Sequence, residues 1–490
     1  MAPLNPAQET QLSPHSRAAG KASTKVGGKA LGLALAALLL TPAVQGATVE
    51  ERLAALERRI VELEQQLKRK DAEIEQQLKL KDAEIAAIKR PLATVKTQTE
   101  QPQSKLNGRL YQEYERPSYR FKTPPKSIFL SDSDTTLQIG GQIWLDAIYN
   151  DGDMANRGAF QTSSILFDED ASDDKTLLNA GQSKLSFRSH TPTEHGDMTT
   201  RFEFDMFDGD GNADFNLTHL WGELGNWGAG QTFSGFMDIN SFPNILDYWG
   251  PSAMVFARHP QIRYRRSLGN GSFWALGIER SDADLALPVN IDPESLNYSE
   301  QNDWPDASAS YTYQFDQGYI KTALLLRYLG YKTNLQEDKV WGWGINVTGT
   351  YDVNYSHSLK FQIANGKGIG RYLNDPCCHY YADITGGSDA GLDGNGELTA
   401  IGATAGFIYL DKQWNDNYTS SIGISYVDID NIITQHPLSF NNSLYSTVNL
   451  IYNPTTMSRL GIELQYGELE NYRGDKGDNL RLQTSFGFKY

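Results

Sequence analysis

The amino-acid sequence predicts an all-β fold, a transmembrane antiparallel β-barrel of about 16 strands preceded by an N-terminal α-helical coiled coil. Three features carry that prediction: an export leader, a closing strand with one apolar face, and connections that alternate between short and long. The chain ends Asn479-Leu-Arg-Leu-Gln-Thr-Ser-Phe-Gly-Phe-Lys-Tyr490. Leu480, Leu482, Thr484, Phe486, Phe488 and Tyr490 fall on one side of such a strand, and Arg481, Gln483, Ser485 and Lys489 on the other. A wall with lipid on one face and a wet lumen on the other requires this period of two.

Residues 1–46 read as a secretory signal. Lys21, Lys25 and Lys29 precede the apolar run from Ala30 to Leu40, then Pro42, and Val44-Gln45-Gly46 fits a cleavage site before Ala47. The run is shorter than the roughly 20 apolar residues that span a bilayer. No later stretch is apolar enough for a membrane helix. An exported chain of this composition is therefore periplasmic, secreted or a barrel, and barrels escape hydropathy because alternate residues are polar.

Residues 47–90 carry a coiled-coil seam in Val49, Leu53, Leu56, Ile60, Leu63 and Leu67, with charged residues around it. An eleven-residue near-repeat follows: Leu67-Lys-Arg-Lys-Asp-Ala-Glu-Ile74 returns as Leu78-Lys-Leu-Lys-Asp-Ala-Glu-Ile85. Two four-residue steps in a row unwind the supercoil locally. The helix stops before Pro91 and would be on the order of 60 Å long. A lone amphipathic helix on a surface is the alternative. Residues 91–134, with Pro102, Pro117, Pro124 and Pro125, read as a linker.

Residues 135–490 form the barrel. The first strand puts Leu137, Ile139, Gly141, Ile143, Leu145, Ala147 and Tyr149 on one face, with Gln138, Gln142, Trp144 and Asp146 on the other. Similar dyads recur, among them Leu217/Trp221, Trp343/Ile345/Val347 and Ile401/Ala403/Ala405/Phe407/Tyr409. With a short strand near 228–234 and the closing strand, they number about sixteen. Short turns are expected at 192–196, Gly225-Asn226, Gly269-Asn270, 316–318, 352–356, 415–417 and Asn453-Pro454. Longer acidic loops are expected at 151–174, 281–306, 365–397 and 428–441. An even-stranded barrel with both ends in the periplasm has that asymmetry, and closing the sheet removes unpaired edges. Sixteen strands leave an aqueous channel, so passive diffusion of small hydrophilic solutes follows without any chemistry or cofactor.

Gly230-Gln-Thr-Phe-Ser-Gly-Phe-Met-Asp238 is followed by Phe242-Pro, Leu246-Asp247, Trp249-Gly-Pro251, Val255-Phe256, Arg258 and Pro260-Gln-Ile-Arg-Tyr264. This run resembles the DcaP-like outer-membrane porins, as does Ile139-Gly-Gly-Gln-Ile-Trp-Leu-Asp-Ala-Ile-Tyr149. The resemblance implies a homotrimer of sixteen-stranded pores with a periplasmic coiled coil, taking up small anions, dicarboxylates among them. Phosphate-selective porins share that plan.

The polar faces carry Lys184, Arg188, Arg201, Arg258, Arg263, Arg265, Lys321, Arg327 and Lys360. Arginine and lysine in a pore attract anions, and the guanidinium fork suits carboxylate and phosphate. The alternative is a mixed constriction in which these cations pair with Glu203, Asp205, Glu223, Asp238, Asp247 or Glu279. Residues 233–257, long, aromatic and poor in charge, are the candidate inward loop, and Arg258, Arg263 and Arg265 follow directly as the candidate constriction.

The net charge is −16, and much of the acid lies in the expected outer loops, where divalent cations bridging lipopolysaccharide are the natural partner; no nucleic-acid partner is implied. Asp383, Asp389, Asp393 and Glu397 suggest either a Ca²⁺ site or a solvated loop, the latter favoured because no ligand spacing is fixed. Cys377 and Cys378 are adjacent, within Asn374-Asp-Pro-Cys-Cys-His379. They fit a vicinal disulfide, a link to a neighbouring chain or, lacking further ligands in sequence, less well a metal site. His190, His219, His259 and His357 keep an outer-membrane hydrolase as one alternative, without a nucleophile motif. A second alternative makes the barrel an anchor whose coiled coil tethers peptidoglycan.

Overall fold

The computed structural model describes residues 127–130, 134–167, 175–209, 211–286, 297, 299–301, 303–334, 336–376, 388–394 and 397–490, together with Gln65 and Lys68. Those two are helical; otherwise the leader, the coiled coil, most of the linker, Cys377, Cys378 and Asp383 lie outside the described residues.

Sixteen antiparallel strands close into a barrel. In chain order they are β1 Thr136–Asn150, β2 Lys184–Thr193, β3 Gly196–Phe207, β4 Ala213–Leu224, β5 Trp227–Phe233, β6 Arg258–Gly269, β7 Ser272–Glu279 and β8 Asp306–Phe315. The second half comprises β9 Gly318–Lys332, β10 Glu337–Asn354, β11 His357–Lys367, β12 Gly402–Gln413, β13 Tyr418–Asp430, β14 Phe440–Thr455, β15 Ser458–Asn471 and β16 Lys476–Lys489. Each strand pairs with the next, and β1 closes the ring on β16 from Gln142 opposite Lys489 to Asn150 opposite Arg481.

Period two sorts the side chains as the sequence requires. Ile143 and Phe488 are more than half exposed on the outside, whereas Trp144, Asp146, Arg481, Gln483 and Ser485 are buried within. One end of the barrel has only tight turns; the other carries all the long connections, including 151–183, 234–257, 280–305 and 368–401. Exposed aromatics ring both ends, with Tyr313, Tyr351, Trp414 and Tyr490 near the turns and Trp304, Trp341 and Tyr426 near the loops. Such girdles sit at the membrane–water boundaries.

Three local expectations are corrected. Leu217 and Trp221 do not share a face: the β3–β4 register slips between the Glu203–His219 and Phe204–Leu217 pairs, so Leu220 points out and Trp221 in. The turn after β14 is Thr456-Met457 rather than Asn453-Pro454. Pro454, which has no N–H to donate, sits in an irregular stretch of register instead. The face holding Ala403, Ala405, Phe407 and Tyr409 is buried inside the barrel, and Ile408 faces out.

That last inversion reflects what fills the lumen. The 234–257 connection folds inward, as expected for 233–257, and its Phe236, Met237, Met254 and Val255 join Ala403, Ala405, Phe407 and Tyr409 in one apolar cluster. Irregular backbone at membrane depth must find partners within the protein. Here the wall's polar side chains supply them. Gln362 receives the Val255 N–H at 3.0 Å and donates to Ala253 O at 2.7 Å, and Asn346 donates to Phe236 O at 2.9 Å. Ser425 receives the Ala253 N–H at 2.8 Å, and Glu463 receives those of Leu246 and Asp247 at 2.8 and 3.0 Å.

Candidate functional site

The inward loop presses on the β9–β15 side of the wall and leaves its other flank facing β1–β6. Between them lies a cavity of about 230 Å³. Lys184, Arg258, Lys360, Arg459 and Lys489 line it, with Glu203, Asp205 and Asp247 and the aromatics Trp144, Phe242, Tyr248 and Phe256.

Each cation is held differently. Arg258 lies over the Phe233 and Phe256 rings at 5.8 and 5.1 Å, a geometry that fixes a guanidinium while leaving its charge in place. Lys184 faces Glu203 at 3.8 Å, and Arg188 and Arg201 reach the same carboxylate at 3.7 and 3.1 Å. One acid therefore gathers three cations. Lys360 donates to Phe242 O of the inward loop and faces Asp411 at 3.4 Å. Arg459 donates to Asn244 Oδ1 at 2.9 Å. Asp205 receives Tyr248 Oη and Asn216 Nδ2, both at 2.8 Å, and the Tyr248 ring stacks on Phe207 with centroids 3.9 Å apart.

The loop's own acids turn toward its anchorage. Asp238 caps the short helical turn Ile239–Ser241 and accepts from Tyr319 Oη at 2.9 Å and Thr348 Oγ1 at 2.6 Å. Asp247 accepts the N–H groups of Phe160 and Gly250 at 2.9 Å each, and burial raises its carboxyl pKa. Behind it, Asp375 receives the Thr162 N–H at 2.6 Å, and its carboxyl is pushed up to about 7 by burial.

The three arginines singled out by sequence do not form one ring. Arg263 and Arg265 border a second recess of about 130 Å³ with Trp221, Asn226 and Phe273 near the turn end, Arg263 over Trp221 at 5.1 Å and Arg265 over Phe273 at 3.8 Å. Lys321 donates to Met237 O at 2.5 Å and so serves the loop. Arg327 is placed away from any channel: fully buried, it pairs with Asp306 at 2.8 Å and Asp389 at 2.7 Å. Its guanidinium also donates to Gly368 O at 2.7 Å and Asp282 O at 2.9 Å, tying the outer connections to β9. Asp389 is thereby engaged in an ion pair rather than in the loop-borne cation site weighed from sequence.

Arg459 escaped the sequence reading and Lys489 entered it only as a polar-face residue. Both sit beside the barrel's seam, where only closure brings β15, β16 and β1 together around the cavity. His219 hydrogen-bonds Thr232 Oγ1 at 2.8 Å, and His259 lies 3.9 Å from Glu279.

Comparison with known proteins agrees with this architecture. The outer membrane channel DcaP of Acinetobacter baumannii has a TM-score of 0.63 at 19% identity, covering 74% of this chain and 99% of that one. An anion-selective porin from Comamonas acidovorans is more distantly similar, with a TM-score of 0.48 at 10% identity over 73% of this chain and 100% of that one. Outer-membrane OmpT of Vibrio cholerae has a TM-score of 0.45 at 12% identity over 74% and 100% of the two chains. No curated protein matches in sequence. Residues 106–487 match the DcaP outer membrane protein family. The chain, a closed sixteen-stranded outer-membrane barrel of porin type, belongs to that family.

Proposed function

We propose that the barrel is a passive diffusion channel that prefers small organic anions, dicarboxylates or similar solutes. The observation that carries this is the uneven lining of the main cavity. Five cations, Lys184, Arg258, Lys360, Arg459 and Lys489, reach it against three acids, Glu203, Asp205 and Asp247, and Asp247 spends its oxygens on the N–H groups of Phe160 and Gly250. Fixed cations at a narrow, partly desolvated passage lower the energy of an anion and raise that of a cation. Spaced cations also suit a solute with two carboxylates.

The same proposal makes residues 1–46 a cleaved signal, 47–90 a periplasmic coiled coil, 91–134 a linker and 135–490 the pore, assembled as a homotrimer. The seam pattern supports self-association. Reversal potential across a planar bilayer under a KCl gradient tests the selectivity. The wild type is expected to show stepwise conductance with anion preference, and Lys184→Ala/Arg258→Ala/Arg459→Ala is expected to lose it. Cation preference in the wild type would overturn the proposal. Deleting residues 47–90 separates a tether from a pore: weakened envelopes with normal solute uptake would favour the tether.

A further inference from the structure

The main cavity holds a guanidinium and a carboxylate that do not pair. Arg258 and Asp205 both line it, and each lies within electrostatic reach of the other. Yet among the described residues Arg258 makes no ion pair: it rests on the Phe233 and Phe256 rings, and its buried Nε has no hydrogen-bond partner. Asp205 is 5% exposed, and neutral donors occupy both its oxygens. Asn216 Nδ2 and the Phe207 N–H reach Oδ1 at 2.8 and 3.2 Å, and Tyr248 Oη reaches Oδ2 at 2.8 Å. Glu203, in the same lining, behaves oppositely and draws Lys184, Arg188 and Arg201 to 3.8, 3.7 and 3.1 Å. Opposite charges in a partly desolvated space attract strongly, so neighbours that stay unpaired need something to hold them apart.

Tyr248 stands where that separation is made. Arg258 interacts most with Tyr248 and next with Asp205, and the phenol oxygen bonds Asp205 and also receives Asn216 Nδ2 at 3.2 Å. The Tyr248 ring is stacked on Phe207 of β3, with centroids 3.9 Å apart and planes 7° from parallel. Flanking residues fix its backbone. Asp247 receives the Gly250 N–H at 2.9 Å, Trp249 Nε1 donates to Asn374 O at 3.1 Å, and Asn374 Nδ2 donates back to Trp249 O at 2.7 Å. A hydroxyl held this rigidly satisfies Asp205 without bringing charge to it. Without that hydroxyl, Asp205 Oδ2 is a buried acceptor lacking its donor, and Arg258 is the cation in reach to replace it.

We propose that Tyr248 sets the channel's selectivity by standing between Asp205 and Arg258: its hydroxyl occupies the carboxylate, and the guanidinium is left to a passing anion. Tyr248 acts through Arg258 and is a positioning residue. The role rests on the anion preference proposed above. It makes selectivity depend on the inward loop, which carries the phenol, whereas the two charges belong to β3 and to the first residue of β6.

Reversal potentials of the full-length channel in a planar bilayer under a KCl gradient test it, in a double-mutant cycle of Tyr248→Phe and Asp205→Asn with Arg258→Ala alongside. Tyr248→Phe keeps the ring on Phe207 and removes only the hydroxyl, and unchanged heat-modifiable gel mobility certifies that each variant folds. The anion-to-cation permeability ratio is expected to fall about threefold or more in Tyr248→Phe. Asp205→Asn is expected to raise the ratio more in the Tyr248→Phe background than in the wild type. In the Arg258→Ala background, Tyr248→Phe should change nothing. An unchanged ratio in Tyr248→Phe, or equal gains from Asp205→Asn in both backgrounds, would overturn the inference and leave the anion preference standing. So would a fall on Tyr248→Phe that persists in the Arg258→Ala background. Cation preference in the wild type would overturn the proposed function itself, and this inference with it.

Discussion

Replacing Arg327 by methionine removes the one guanidinium that faces both Asp306 and Asp389, none of the three having any exposed side-chain surface. The stem's volume is nearly kept, so the loss is electrostatic: two ion pairs at 2.8 and 2.7 Å and the bonds to Gly368 O and Asp282 O. Tyr372 Oη still donates to Asp306 at 2.9 Å, and Arg371 N to Asp389 at 3.0 Å, which softens but does not cancel the stranded charge. Removing one partner of a buried pair costs about 3–5 kcal/mol. The assay is urea unfolding of the lipid-refolded barrel followed by tryptophan fluorescence, with limited proteolysis of the 368–401 connection. Arg327→Met is expected to lose about 3–5 kcal/mol, and Arg327→Met/Asp306→Asn/Asp389→Asn to recover most of it, since the triple variant removes all three charges of the cluster together. Ion selectivity of the triple variant should match the wild type. A single-variant cost below about 1 kcal/mol, or a triple variant no better than the single, would refute the reasoning.

Further outcomes are expected from the same geometry. Glu203→Gln releases Lys184, Arg188 and Arg201 from their shared carboxylate and should strengthen anion preference in reversal-potential measurements. Asp375 has a folded pKa of about 7, well above an unfolded aspartate's, so the folded state binds the proton more tightly and stability should fall as pH rises from about 4 to 7. The slope is at most about 1.4 kcal/mol per pH unit, and Asp375→Asn should flatten it in unfolding titrations. Gly230 has φ +124°, and a Cβ there would meet Leu220 O at 2.1 Å, so Gly230→Ala should sharply lower the refolded yield read by heat-modifiable gel mobility.

How much was legible in the sequence differs between wall and lumen. Alternation in residues 137–149 and 480–490 gave the faces of the first and last strands, because a pleated strand sends successive side chains to opposite sides whatever surrounds it. Loop lengths gave the two ends, and the charge-poor aromatic run at 233–257 gave the inward loop. The bulge near Thr218 was invisible, since one extra residue leaves composition unchanged while reversing the face of all that follows.

By itself, then, the sequence determined a barrel of this size, its family and the faces of its first and last strands. Only the tertiary structure decided what each inward residue meets. Gln362, Ser425 and Glu463 are as polar as Lys184 and Arg459, yet the former hydrogen-bond the backbone of a loop and the latter line a cavity. Arg327 reads like Arg258 in a strand pattern and is instead sealed between two carboxylates. The physical reason is that strand periodicity fixes direction alone. Whether an inward direction ends in water, in a loop or in an opposite charge depends on chain segments from some twenty to more than two hundred residues away, which only the folded barrel brings there.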